Sequence, residues 1–295
     1  MKKIKFLLMS MVAAVLVSCG TTSTVPVTGR KQNLMVSDGE MLSLSTQQYQ
    51  EFMKTAKLST DATKTAMVKR VGQNLANAVV SYLNANGMQN DVQNYKWQFN
   101  LVADKQANAW CMPGGLIVVY EGILPITQDE ASLAIVLGHE IAHAVARHSA
   151  EQMSQQIKQQ YGVQAASALA GVLGVGSNTV AIGQAVAASG LNLANLKYSR
   201  NHESEADYMG LIFAAMAGYD PSVAVTFWQR MSAASNSNTA EFLSDHPSDA
   251  TRIKNIQGWL PEAQKYYKPK TTTTTTTKKS TTTKKTTTKK TTKKK

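Results

Sequence analysis

The chain has 295 residues, of which 43% are hydrophobic and 17% are charged. This composition excludes a chain that is disordered throughout and a membrane protein with several spans. The formal net charge of +12 alone would suggest a nucleic-acid partner. However, nine of the 31 basic residues lie in the C-terminal segment 271–295 and three lie among the first five residues, which leaves equal numbers of basic and acidic residues in between. We therefore expect no nucleic-acid binding.

The first residues have the features of an export signal. Lysines precede an apolar run of about a dozen residues, which is too short to span a bilayer but suits a secretory signal. The sequence Leu16-Val17-Ser18-Cys19 resembles a bacterial lipobox, which implies cleavage before Cys19 and lipid on its sulfur. We expect residues 1–18 to be a signal peptide and Cys19 to anchor the protein in a bacterial envelope. Gly20 favours the outer membrane, on the side that faces the periplasm. The alternative is an ordinary signal peptide with an incidental cysteine.

Three further segments are predicted from composition. Residues 19–36 contain Pro26 and Gly29, which oppose regular structure, so we expect an extended, lipidated leader. Cys111 lies in an apolar stretch and is expected to be a buried small residue, not a nucleophile. The threonine and lysine tail 268–295 cannot form a core and is expected to be disordered. This tail is either a solvated spacer or a means of adhesion to anionic surface polymers.

The middle of the chain, residues 37–267, is expected to form one domain of helices with a small sheet. Helical periodicity and capping signals predict helices over about 37–57, 67–87, 201–217, 220–234 and 246–258, and a long central helix from about 129 to beyond His148. Alternating apolar residues predict a strand at 97–101, and two extended runs around Pro113-Gly114-Gly115 predict a hairpin of 108–112 and 116–120. Between 161 and 196 we expect closely packed helices of small residues or a mobile lid. The fold class is therefore α+β and mostly helical.

The predicted central helix carries the sequence His139-Glu140-Ile141-Ala142-His143. Residues four apart lie on one face of a helix, so both imidazoles can reach one metal ion. Glu140 is offset by one position, which places it beside the metal where it can hold a water molecule. His148 follows His143 by five residues, about 140° around a continuous helix, and is expected at the surface.

A second acidic segment follows about sixty residues later, with the sequence SRNHESEAD at 199–207. A catalytic zinc ion needs three protein ligands, and a carboxylate from a second helix would supply the third. Glu203 and Asp207 are four apart, so one helical face can present a ligand and an acceptor that orients a ligating histidine. Glu205 points elsewhere on this helix, either as a solvated acid or as the rival ligand to Glu203. His202 is expected to face solvent or to support a ligand.

These two motifs together resemble the HtpX- and BepA-like gluzincins of peptidase family M48. The ordered set of further matches covers residues 25–266 and consists of PVTGR at 26–30, NAW at 108–110 with PGG at 113–115, AGYDP at 217–221 and SDHP at 244–247 with Arg252-Ile253. The resemblance implies a mostly helical zincin-like metallopeptidase domain with a small sheet before the central helix. It also implies one zinc ion per chain.

The resemblance assigns a role to each matching residue. It makes His139, His143 and Glu203 the zinc ligands and Glu140 the general base. Asp207 becomes the acid that supports the first histidine. The implied activity is that of a zinc-dependent endopeptidase.

Family position also selects residues around the reacting bond. His246 or Arg252 would stabilise the oxyanion, and a substrate peptide would lie as an added strand beside Asn108 and Ala109. Binding through the peptide backbone favours unfolded or misfolded envelope proteins as substrates. His246 has two alternative roles: a latch that fills the open position on zinc, or a cap of the following helix.

Two other functions remain open on the sequence. The first is a zinc-containing, chaperone-like or assembly lipoprotein in which proteolysis is latched or lost. The second is adhesion by the basic tail, which can coexist with an enzyme. Glu140 favours the endopeptidase because a purely structural zinc site has no use for it.

Overall fold

A computed structural model describes residues 21–168, 192–234, 242, 246 and 250–269. The predictions for the signal peptide and Cys19, for the centre of the 161–196 segment and for the basic tail lie outside these residues. Among the helices of the described part, none combines the length and apolar character that a membrane span requires.

Residues 21–34 form a hairpin where the sequence predicted an extended leader without regular structure. Strand β1 (Thr21–Thr24) pairs antiparallel with β2 (Lys31–Leu34), so that part of the prediction is wrong. Pro26 and Gly29 lie in the connection between the strands, where Val27 and Gly29 have φ angles of 69° and 71°. The two residues taken as breakers of regular structure therefore shape a turn, and neighbouring Val25 is fully buried.

Two long helices follow the hairpin. Helix α1 (Asp38–Thr55) begins with the predicted capping box, in which the Ser37 hydroxyl accepts from the Glu40 amide and the Glu40 carboxylate accepts from the Ser37 amide. Helix α2 (Ala62–Ala85) buries a stripe of apolar residues at helical spacing, and the short helix α3 (Gln89–Val92) follows it. The stripe consists of Val68, Val71, Leu75, Val79 and Leu83.

A three-stranded sheet supports the site. Strands β3 (Gln98–Val102), β4 (Ala109–Met112) and β5 (Leu116–Tyr120) have the order β3-β5-β4, with β3 parallel and β4 antiparallel to β5. The predicted hairpin is thus confirmed, and β4 is an outer strand. The Asn108 carbonyl accepts from the Tyr120 amide, and pairing alternates along an antiparallel ladder. The backbone polar groups of Ala109 and Cys111 consequently point away from β5.

The predicted long central helix is divided into two helices. A short 3₁₀ turn (Glu121–Ile123) and α4 (Leu124–Thr127) lead into α5 (Glu130–Val145), which is buried on nearly every side. The side chain of Asp129 caps α5 by accepting from the Ser132 amide. Thr127 is the last residue of α4 and does not cap α5. Arg147, with a φ angle of 58°, separates α5 from α6 (His148–Ala168). The expectation of one helix running beyond His148 is therefore wrong.

The remaining helices complete one side of the core. They are α7 (Arg200–Met216), α8 (Val223–Ala234) and α9 (Ala250–Gln264), with a 3₁₀ turn (Leu193–Asn195) before α7. Helices α5 and α7 cross in close contact at Gly138 and Gly210, where neither helix has a side chain between the backbones. The architecture confirms the predicted α+β class with mostly helical content.

Candidate active site

Four buried side chains meet beside the crossing of α5 and α7. One donor atom each of His139, His143, Glu203 and His246 lies within 4.8 Å of all the others. The Nε2 atoms of His139 and His143 are 3.0 Å apart, and Nδ1 of His246 is 3.1 Å from Nε2 of His139. The Glu203 carboxylate lies 3.4 Å from Nε2 of His139 and of His143, and 3.0 Å from Nδ1 of His246. The structure therefore brings the three predicted ligands and His246 together.

The spacing of these donor atoms fits a zinc ion. Zinc bonds to imidazole nitrogen and carboxylate oxygen at about 2.0–2.2 Å in tetrahedral sites, which places neighbouring ligand atoms about 3.3 Å apart. His139 lies 3.0 to 3.1 Å from the other two imidazoles, and the Glu203 carboxylate lies 3.0 to 3.4 Å from all three. Imidazole nitrogens with one carboxylate also form a donor set that suits zinc. His139, His143 and Glu203 would hold the ion, with His246 at the fourth position.

Asp207 orients His139 from outside the cluster. Its Oδ1 lies 2.9 Å from Nδ1 of His139, so it accepts the Nδ1 proton and leaves Nε2 facing Glu203. Burial by itself lowers the pKa of His139, but Asp207 and Glu203 outweigh burial and raise this pKa. Burial by itself raises the pKa of Glu203, whereas the facing imidazoles of His246, His139 and His143 hold it far below its usual range. Glu203 is thus an ionised carboxylate in the cluster.

Arg252 lies behind these residues. Its Nη2 donates to Oδ1 of Asp207 at 2.6 Å, and its Nη1 donates to the carbonyl of His246 at 3.1 Å. The guanidinium carbon is 3.5 Å from the centroid of the Trp228 ring. Burial raises the pKa of Asp207, but the charge of Arg252 and the bond to His139 lower it overall. The resemblance suggested Arg252 as a substrate contact that stabilises the oxyanion, and the structure places it where it anchors Asp207 and the His246 backbone.

Glu140 lies next to the cluster, on the side of the sheet. Its Oε1 is 3.5 Å from Nε2 of His246, and its side chain is almost fully buried. Cys111 on β4 is also buried, as predicted, and burial together with the charge of Glu140 raises the pKa of its thiol well above the usual value. Glu140 therefore faces the space between the ligands and β4.

Phe242 and His246 connect the cluster to the start of β4. The Phe242 amide donates to the carbonyl of Ala107 at 3.1 Å, and the His246 amide donates to the carbonyl of Phe242 at 2.8 Å. The rings of Phe242 and His246 are stacked with their centroids 4.6 Å apart. Next along β4, Oδ1 of Asn108 accepts from the Ala109 amide at 2.8 Å. Phe242 thus contacts the chain just before β4, beside which the substrate is expected to bind, and His246 contacts the cluster.

Tyr198 is a site residue that sequence reasoning missed. Its ring stacks on the imidazole of His143 with centroids 4.1 Å apart and an interplanar angle of 18°. The Tyr198 hydroxyl is 2.8 Å from Oγ of Ser149, and burial raises the pKa of this phenol. Its place directly before Ser199, the N-cap of the helix that carries Glu203, is the signal that would have indicated it.

His148 is buried against His143, so the prediction that it lies at the surface is wrong. Nδ1 of His148 is 2.9 Å from Nδ1 of His143, and Nε2 of His148 is 3.0 Å from Oε2 of Glu205. Burial lowers the pKa of His148 to about 4. Glu205, suggested as a solvated acid or a rival ligand, instead faces His148 and Arg30. His202 is also buried and contacts Glu151.

Comparisons with known proteins agree with this geometry. The model of Peptidase family M48 matches residues 62–260. The mitochondrial metalloendopeptidase OMA1 of Schizosaccharomyces pombe is 37% identical over 172 residues, which cover 57% of this chain and 48% of that protein. The metalloprotease LoiP of Escherichia coli is 26% identical over 260 residues, covering 86% of this chain and 96% of that protein.

A putative beta-barrel assembly-enhancing protease of Vibrio cholerae is 30% identical over 183 residues, covering 61% of this chain and 37% of that protein. The chain spans about half or less of the OMA1 relatives and of this protease, and nearly all of LoiP. The resemblance seen in the sequence is confirmed, because the family model matches more than half of the chain and includes both metal-binding motifs. The chain belongs to peptidase family M48.

Proposed function

We propose that this protein is a zinc-dependent endopeptidase. The observation that carries the proposal is the buried cluster of His139, His143 and Glu203 with Glu140 directly beside it. Three protein ligands and a neighbouring carboxylate are the arrangement of a catalytic zinc site. The names of the relatives, metalloendopeptidase and metalloprotease, support the same activity.

The chemistry divides between the metal and the side chains of this chain. Bound zinc would lower the pKa of a water molecule towards neutrality and polarise the scissile carbonyl. Glu140 takes the proton of the attacking water and delivers it to the leaving amine. Asp207 keeps Nε2 of His139 directed at the ligand cluster, and Arg252 holds Asp207 in place.

The outer edge of β4 is the proposed binding site for the substrate. Ala109 and Cys111 direct their backbone polar groups away from β5, so an extended peptide can add to the sheet beside the cluster. Such binding recognises the backbone of the substrate and depends little on the sequence of its side chains. We infer that the substrates are unfolded or misfolded proteins of the bacterial envelope, and that lipid on Cys19 holds the enzyme at the outer membrane. The naming of the Vibrio cholerae relative after beta-barrel assembly is compatible with this compartment.

The activity is tested with casein as an unfolded substrate. The purified, zinc-loaded protein without its signal peptide is compared with Glu140→Gln at matched zinc content. We expect cleavage by the wild type and a loss of about 10²–10⁴-fold in the variant, with zinc still bound. Equal cleavage by both forms would remove Glu140 from the mechanism and contradict the proposal.

A second function, a zinc-containing assembly or chaperone-like lipoprotein with latched proteolysis, is favoured by one observation. His246 contributes a third nitrogen, and the fourth donor atom, to the cluster. On a tetrahedral zinc ion this nitrogen would take the position otherwise open to a water molecule. If the wild type cleaves nothing, His246→Ala separates the two functions. Cleavage by that variant would identify a latched protease, and continued inactivity would favour the binding protein.

A further inference from the structure

A line of polar contacts, buried at its inner end, leads from His143 to the N-terminal hairpin. Nδ1 of His143 meets Nδ1 of His148 at 2.9 Å, and Nε2 of His148 meets Oε2 of Glu205 at 3.0 Å. Arg30, from the hairpin, donates through Nε to the same Glu205 oxygen at 2.9 Å. Thr28 donates its hydroxyl to the other oxygen of Glu205 at 2.5 Å. The N-terminal hairpin and helix α6 therefore both contact one carboxylate of helix α7.

The ligand cluster determines which nitrogen of each imidazole in this line carries the proton, and therefore which atom donates each hydrogen bond. Nε2 of His143 faces His139 and Glu203, so the lone pair of that nitrogen is directed at the cluster and the ring proton is on Nδ1. Nδ1 of His148 must then accept this proton, which places the proton of His148 on Nε2. Nε2 of His148 then donates this second proton to the carboxylate of Glu205.

The outer end of the line is held rigidly. Arg30 also donates through both terminal nitrogens to the two oxygens of Glu151, at 2.9 and 2.7 Å. Glu151 lies on α6, the helix that begins at His148, and Glu205 lies on α7. Arg30 therefore links α6 to α7 by binding Glu151 and Glu205 together. Glu205 is the carboxylate that accepts the His148 proton.

We propose that His148 is the positioning residue of the zinc ligand His143, and that Glu205, fixed by Arg30, determines the orientation and tautomer of His148. The inference rests on the proposed function in one respect, the assignment of His143 as a ligand. The two histidine ligands are then supported differently. His139 donates directly to a carboxylate, Asp207, whereas His143 reaches its carboxylate through an intervening imidazole.

The test measures the zinc affinity of the purified mature protein by competition with a chelator. His148→Leu removes the acceptor for His143 but fills the site, and we expect zinc affinity to fall by about 10–100-fold. His148→Asn restores an acceptor, because the asparagine amide places its oxygen near the position of Nδ1. We expect it to recover most of the affinity, within about threefold of wild type. Equal losses in the two variants would indicate packing alone and overturn the proposal.

A matched pair of acidic variants tests the outer half of the line. Glu205 and Glu151 both bind Arg30, but only Glu205 contacts His148. We expect Glu205→Leu to weaken zinc binding about tenfold and Glu151→Leu to leave it near the wild-type value. Equal zinc affinities of the two variants would show that Glu205 does not determine the orientation of His148, and would overturn that part of the proposal. If His148→Leu fails to fold, judged by circular dichroism, His148→Asn and this pair decide the matter.

His143→Ala separates failure of this inference from failure of the proposed function. We expect it to lose zinc binding more severely than any of the variants above. Wild-type affinity in His143→Ala would show that the ligand set itself is wrong. A large loss in His143→Ala together with wild-type affinity in His148→Leu would overturn the positioning role alone.

Discussion

Gly138 and Gly210 face each other across the crossing of α5 and α7. A Cβ atom at Gly210 would lie 2.7 Å from the backbone nitrogen of His139, and one at Gly138 would lie 2.7 Å from the carbonyl oxygen of Gly210. Both contacts are shorter than real Cβ atoms make. The absence of these two side chains allows the backbones to approach closely. His139, which directly follows Gly138, can then meet Glu203, which lies about two turns before Gly210.

Gly210→Ala is expected to separate the two helices. Because the obstructing atom is backbone, relief requires a helix shift, and overpacking of this kind costs about 1–3 kcal/mol. We expect lower stability of the metal-free protein in urea and weaker zinc binding. Gly258→Ala is the control, since α9 has open space at that position and the change should be neutral or stabilising by up to about 1 kcal/mol. Identical effects of the two substitutions would contradict the close crossing.

His246→Ala is expected to increase casein cleavage severalfold at unchanged zinc content. The reason is that Nδ1 of His246 lies 3.1 Å from Nε2 of His139 and 3.0 Å from the Glu203 carboxylate, where it would take the coordination position that an attacking water molecule requires. Initial rates and zinc content are measured on the same preparations. A fall of about 10²–10³-fold would instead identify His246 as a donor to the oxyanion.

Arg252→Leu is expected to destabilise the protein by about 3–5 kcal/mol, because it leaves the buried carboxylate of Asp207 without its cation. The measurement is urea unfolding of the metal-free protein at neutral pH. Arg252→Lys serves as the comparison, since it keeps the charge but loses the two-pronged contact to Asp207 and the His246 carbonyl. We expect it to fall between wild type and Arg252→Leu. A change below 1 kcal/mol in Arg252→Leu would contradict the anchoring role.

The ion pair of Arg30 with Glu151 predicts a loss of stability in acid. Burial by itself raises the pKa of Glu151, but its hydrogen bonds to His202 and Arg30 outweigh burial and hold this pKa at about 2, below the usual 4.5. A carboxylate with a depressed folded pKa stabilises the protein above its unfolded pKa and loses that contribution as the pH falls. Metal-free wild type should therefore exceed Glu151→Gln in stability at pH 6, and the difference should shrink as the pH falls from 4.5 towards 2. Urea midpoints across this range measure it, and a constant difference would contradict the shifted pKa.

The main ligands were predictable because their geometry is local. His139 and His143 are four residues apart within one helix, as are Glu203 and Asp207, so helical periodicity alone orients each pair. The capping box at Ser37 and the hairpin of β4 and β5 were predictable for the same reason, since each depends on a few neighbouring residues.

His148 could not be predicted from its spacing because of one backbone angle. On a continuous helix it would lie about 140° around the axis from His143. The left-handed conformation of Arg147 instead ends α5 and changes the chain direction, so that His148 contacts His143. An arginine in a sequence does not indicate a positive φ angle, because residues other than glycine seldom adopt one. The environment of Glu205 was hidden for a related reason, because its partner Arg30 is 175 residues away and belongs to a hairpin that the sequence did not indicate.

The Phe242 amide donates to the carbonyl of Ala107, at the start of the proposed binding edge of β4. A substrate peptide that added to this edge would have to compete with a residue of the same molecule. The competing segment belongs to the same molecule, so its effective concentration, in the millimolar range for a short tether, does not fall when the protein is diluted. A dilute free peptide competes poorly against such a neighbour. Under the proposed membrane anchoring, a polypeptide held at the same membrane surface would compete at a similar local concentration. Substrate choice would then depend on co-localisation as much as on sequence.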